Sequence, residues 1–104
     1  MERSARIADF EAFWPFYLSQ HTKPATRALH FTGTTLSLLL LAAAAITARP
    51  WLVLWAIVAG YLFAWIGHVF IEKNRPATFQ YPLWSLAGDF KMYGLMWRGR
   101  MWRM

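Results

Sequence analysis

Residues 28–71 read ALHFTGTTLSLLLLAAAAITARPWLVLWAIVAGYLFAWIGHVFI, and Arg49 is the only Asp, Glu, Lys or Arg among them. At ~1.5 Å per residue, each apolar run on either side of Arg49 is long enough to cross a hydrocarbon layer of ~30 Å. Only Ala48-Arg49-Pro50 separates the runs, so two helices joined there must run antiparallel. Pro50 suits the first turn of the second helix. The expected fold class is all-α: an integral-membrane helical hairpin, with two transmembrane helices over 24–48 and 51–72, in a single membrane domain over 1–104. A cleaved leader is not expected, because the first run follows 27 residues of charged and aromatic chain and precedes a second span.

Outward from the hairpin the character changes. The segment SARIADFEAFWPFYLSQ, residues 4–20, places Ile7, Phe10, Trp14, Tyr17 and Leu18 at helical spacing, with Ser4 as a candidate N-cap. Pro15 should bend or interrupt that helix. Lys23-Pro24 marks a break before the first span. Beyond the second span, residues 79–100 mix Trp, Tyr, Phe and Met with basic residues. Both arms therefore read as amphipathic interfacial helices flanking the hairpin.

Composition agrees. The chain is 58% hydrophobic and 15% charged, outside the usual range for a soluble domain. It has no cysteine, which excludes disulfides. Ten of the eleven Lys and Arg lie in the two arms or in the first turn of the first span, and Arg49 alone lies between the spans. By the positive-inside tendency both termini are expected on the cytoplasmic side of an inner, cytoplasmic membrane. The net charge of +6 then faces anionic headgroups, and no nucleic-acid partner is expected.

The chain has three histidines: His21, His30 and His68. His30 and His68 lie about 19 residues before and after the turn, so with equal rise they reach the same depth. His30, Gly33, Thr34, Ser37 and Ala44 share one face of the first helix. Ala56, Gly60, Ala64 and Gly67 form a small-residue stripe on the second, with His68 beside its end. If these faces pack, His30 and His68 point toward each other or a shared cavity. Glu72 follows His68 by four residues on the same side. The Lys23-Pro24 break lets His21 fold back over the hairpin mouth, and Asp89, in AGDFKMY, is placed to cover it.

Two or three imidazoles with a carboxylate suit a divalent transition metal, and two His with one carboxylate suit non-haem Fe(II). Plainer roles exist for each residue. A single boundary histidine is ordinarily an amphipathic interface residue. Glu72 can pair with Lys73 or Arg75, Asp89 can cap a helix beginning at Phe90, and Asn74 and Pro76 can simply turn the chain.

At Tyr17-Leu-Ser-Gln-His21, Leu29-His30 with Gly33, and Gly67-His68 with Phe70, Glu72 and Pro76-Ala77, the chain resembles a known family. It is a small membrane-protein family, long catalogued as a domain of unknown function, that includes the eukaryotic 2-hydroxy-fatty-acid dioxygenase. The resemblance runs from about residue 9 to 97 and is strongest to the short bacterial branch. It implies an Fe(II)-dependent dioxygenase of α-oxidation that shortens 2-hydroxy fatty acids by one carbon, using molecular oxygen. It maps the metal and catalytic residues onto His21, His30, His68 and Glu72; Asp89 is a further candidate from its place over the hairpin mouth alone. It implies chelation of iron by the substrate carboxylate and 2-hydroxyl and cleavage between C1 and C2. Lys23, Arg27 and Arg75 would then neutralise the carboxylate, with Asn74 as another substrate-binding candidate.

Three departures qualify the carry-over. The characterised branch has a longer middle, reads glycine-arginine where this chain has Lys73-Asn74-Arg75 before Pro76-Ala77, and differs at GDFKMY. A homo-oligomer is one way for so short a chain to close a cavity. The alternative function is a non-catalytic membrane scaffold or assembly protein, for which the small-residue stripe rather than the histidines would matter.

Overall fold

Four α-helices and no strand make up residues 7–103, which the computed structural model describes. Helix α1 spans Phe10–Ser19. Asp9 caps it, its Oδ1 accepting the Ala12 N–H at 2.8 Å. Residues 7–9 are not helical, so the helix starts later than a cap at Ser4 requires; Ser4 itself lies outside the described residues. Helix α1 also runs through Pro15 without a break. The bond that proline forfeits is the one to the Glu11 carbonyl, and both residues are exposed, so water can serve that carbonyl instead.

Helix α2 spans Pro24–Thr47, with proline in its first turn. It stops at Ala48, which adopts the left-handed conformation (φ 55°) and donates its N–H to the Ala44 carbonyl. Helix α3 spans Trp51–Ile66. The chain then continues in the same direction as a π-helical segment, Gly67–Glu72, which ends at Lys73, also left-handed (φ 60°). Both Pro24–Thr47 and Trp51–Glu72 are long and apolar enough to cross a membrane.

The close approaches between them register the hairpin. A Cβ added at Gly33 would lie 2.7 Å from Phe63 Cβ, one at Gly60 3.7 Å from Ser37 Oγ, and one at Gly67 2.9 Å from Thr26 Cγ2. Rising numbers on α2 meet falling numbers on α3, as an antiparallel pair requires. Gly33 and Gly67 admit no side chain, so the small-residue stripe sets how near the helices come. The outward faces carry large apolar side chains in the open, among them Leu39 (62% exposed) and Leu54 (61%).

After a short 3₁₀ turn at Ala77–Phe79, helix α4 spans Pro82–Trp97. It buries Ser85, Gly88, Met92 and Met96, spaced by three and four residues. That face packs on α1 and against the N-terminal half of α2, where Thr35 Oγ1 and Tyr93 Oη meet at 2.8 Å. The core between the arms comprises Phe13, Tyr17, Ala77, Met92, Met96 and Met101. Helix α1 is thus centred on Phe13 and Tyr17, both fully buried. Helical spacing points to Tyr17 but not to Phe13. At the rim, the Lys91 ammonium sits 4.4 Å from the centre of the Trp14 ring.

Candidate metal centre

The hairpin brings the N-terminal end of α2 level with the C-terminal end of α3, and all three histidines meet there. His30 projects from the second turn of α2, His68 from the π-helical segment, and His21 from the link between α1 and α2. The His21 ring centre lies 4.6 Å from those of both His30 and His68, which are 5.4 Å apart. All three rings are buried, and one ligand nitrogen from each falls within 4.8 Å of the others. Nitrogens bound at ~2.0–2.1 Å to one ion are at most ~4.2 Å apart. A small inward movement of the rings therefore suffices to share an ion.

The outer nitrogens are held. His21 Nδ1 lies 2.7 Å from the Tyr17 carbonyl, which can only accept, so Nδ1 carries the proton. His68 Nδ1 lies 2.7 Å from Asn74 Oδ1. The Asn74 amide orientation is set in turn by its Nδ2, which donates to the Gln20 carbonyl at 3.1 Å. His30 Nδ1 lies 3.6 Å from Asp89 Oδ1, beyond hydrogen-bond range but within electrostatic reach. Fixing Nδ1–H on His21 and His68 leaves the Nε2 lone pair of each for an ion. The Nε2 atoms of His21 and His30 are buried with no hydrogen-bond partner. A buried polar atom left so costs about 1–3 kcal/mol, which an ion would remove. The donor set fits a transition metal.

Asp89 is the hinge between this cluster and the core. It lies in the middle of α4 rather than at the start of a helix, so it caps nothing. Its Oδ1 accepts the Tyr17 hydroxyl at 2.6 Å. Burial pushes its carboxyl up from 3.8 to about 7, the Tyr17 bond opposing that rise. Burial likewise drives the Tyr17 phenol well above 10, and Asp89 adds to it. The Tyr17 ring stacks on His21 with centres 4.0 Å apart. Burial pushes His21 down to about 3 against the opposing bond to the Tyr17 carbonyl, so its imidazole is neutral and ligand-competent at physiological pH. Gly88 makes the arrangement possible, because a Cβ there would lie 2.7 Å from Tyr17 Cδ2.

The other candidates fall elsewhere. Glu72 is not in the histidine group. Its Oε1 accepts the Thr22 hydroxyl at 2.8 Å and its Oε2 the Lys23 N–H at 2.7 Å. The carboxylate thus sits at the positive end of α2, which attracts an anion, and joins the end of the π-helical segment to the start of α2. Arg27 is buried rather than presented to a ligand. Its Nε donates to the Met101 carbonyl and its Nη1 to the His21 carbonyl, at 2.8 and 2.7 Å. Asn74 has its amide engaged by His68 and Gln20. Lys23 and Arg75 are exposed at the mouth. Sequence reasoning missed Tyr17 as a partner of Asp89; its place four residues before His21 was the available signal.

No curated protein and no solved structure matches the chain. A family model described as "2-hydroxy-palmitic acid dioxygenase Mpo1-like" matches residues 7–101, which takes in all three histidines, Asn74 and Asp89. With nearly its whole length matched, the chain belongs to the 2-hydroxy-palmitic acid dioxygenase Mpo1-like family.

Proposed function

We propose that this protein is an Fe(II)-dependent dioxygenase of the membrane that shortens 2-hydroxy fatty acids by one carbon. The observation that carries this reading is the convergence of three buried imidazoles, two with Nδ1 held by an acceptor. Iron, when bound, supplies the reaction with molecular oxygen that no side chain offers. The chain's own part is to keep His21, His30 and His68 oriented and dry. Tyr17 and Asn74 hold two rings, Asp89 faces the third, and α1 and α4 cover them. Glu72 ties the two spans together. Lys23 and Arg75, exposed beside the mouth, draw the substrate carboxylate from the membrane surface, and their surroundings suit anionic headgroups.

The hairpin's exposed apolar belt supports a lipid setting, since a soluble protein rarely leaves such a patch open. With the basic arms at the cytoplasmic face of the inner membrane, the cluster lies at that face. There the acyl tail lies at the depth of the hydrocarbon layer while the polar head reaches the histidines.

The test is metal analysis joined to product analysis. Protein purified in detergent should carry one iron per chain and convert 2-hydroxypalmitate to the acid one carbon shorter. His68→Ala should lose both. Wild-type protein that takes up no metal would remove the reading and favour a scaffold, whose function the histidine variants would leave intact.

A further inference from the structure

A cleft of 470 Å³ opens beside the histidines, between α2, α3 and α4. Its size is in the range of small-molecule sites. One end is polar, formed by His30 and Asp89. From there the α2 wall runs along Thr34 and Ser37 to Leu41. Ala56 and Gly60 continue the same surface on α3, and Leu86 and Phe90 on α4 close one side. The bore exists because α3 presents small residues here. A Cβ at Gly60 would touch Ser37, 3.7 Å from its Oγ, so α2 and α3 meet there and the cleft lies over their seam.

Resting on the proposed function, we infer that this cleft is the acyl-chain site and that Gly60 and Ser37 set the length of chain it takes. Three features favour a single acyl tail as the occupant. The polar end is continuous with the histidine cluster, so a tail lying in the cleft delivers its C1–C2 end there. The remainder is dominated by carbon. From His30 to Leu41 the cleft follows eleven residues of helix, about 16 Å, or half the ~30 Å hydrocarbon layer. That is the depth of one leaflet, so a long-chain acid fills it while its head stays at the membrane surface.

The experiment uses a 2-hydroxypalmitate analogue with a diazirine at the tail end, irradiated with the iron-loaded protein and mapped by mass spectrometry. Labelling should fall within residues 37–41 and 56–61, and free 2-hydroxypalmitate should compete it away. Ser37→Leu and Gly60→Leu narrow the bore. Each should weaken labelling by the long analogue roughly ten-fold for every couple of methylenes displaced, and spare a 2-hydroxyoctanoate analogue. Retained iron reports that a variant has folded. Label on the outer faces of the hairpin, competition by phospholipid alone, or a length profile unchanged in both folded variants would overturn the assignment. Label in the cleft of a protein that turns over no 2-hydroxy acid would support the acyl site and remove the proposed reaction, so the two failures are distinguishable.

Discussion

His68 and Asn74 stand on either side of a left-handed turn and are joined twice: His68 Nδ1 lies 2.7 Å from Asn74 Oδ1, and the Asn74 N–H donates to the His68 carbonyl at 3.0 Å. The amide side chain therefore selects the imidazole tautomer, and the backbone bond holds the amide in place to do so. Asn74→Ala should lower metal affinity by ~10–100-fold, the usual effect of losing the partner behind a ligating histidine. Asn74→Asp, which keeps an acceptor, should recover most of it. Chelator competition on the two variants measures the difference.

Glu72→Gln separates a tying role from ligation. The amide offers one oxygen where Thr22 and Lys23 need two. Thermal stability should fall by an amount on the order of 1–2 kcal/mol, one hydrogen bond to a charged acceptor. Iron should remain at one per chain. Loss of iron with stability unchanged would make Glu72 a ligand.

Gly88 and Gly94 lie on the same helix and should behave oppositely. Alanine at 88 drives a methyl group into the Tyr17 ring, which is fully buried and cannot step aside. Gly88→Ala should cost about 1–3 kcal/mol and weaken metal binding as Tyr17 and Asp89 move. Nothing lies within 4 Å of a Cβ at Gly94, so Gly94→Ala should stabilise α4 by ~0.5–1 kcal/mol and leave metal binding unchanged. Melting curves with and without iron test the pair.

The metal-free protein should carry a pH signature of Asp89. Its folded carboxyl is raised from 3.8 to about 7, so the folded chain holds that proton more tightly than the unfolded one. The associated stability is fully present below 3.8 and lost as pH rises through about 7. His21, lowered from 6.5 to about 3, works the other way, and its contribution is lost as pH falls from 6.5 toward 3. Asp89→Asn removes only the first slope. The stability of the variant relative to the parent should therefore rise from pH 3.8 to about 7. A flat difference across that range would mean that Asp89 stays ionised.

Much of the fold could be read in the chain. A long apolar run interrupted only at Arg49 dictates a hairpin, and counting outward from that turn brings His30 and His68 to one level. Small residues on both helices point to the packed faces, which close as expected at Gly33, Gly60 and Gly67. What resisted reading depends on contacts made across the fold. Glu72 looks like a ligand by spacing, yet the N-terminus of α2 binds both its oxygens. Arg27 looks like a cation for substrate, yet the C-terminal segment returns to cover it. Asn74 lies six residues after His68, a separation that brings them together only because the helix widens between them. Phe13 escaped notice because the core it anchors is built with α4, far away in sequence.

That widening makes the length of the Gly67–Glu72 segment matter more than its lettering. Val69 and Phe70 face outward, 56% and 71% exposed, and other greasy side chains could replace them at little cost. Removing one residue between His68 and Glu72 is a different matter. The backbone would lose the wide turn across which Asn74, six residues on, now donates to the His68 carbonyl. Drift in spelling is tolerable there; a single-codon deletion is not.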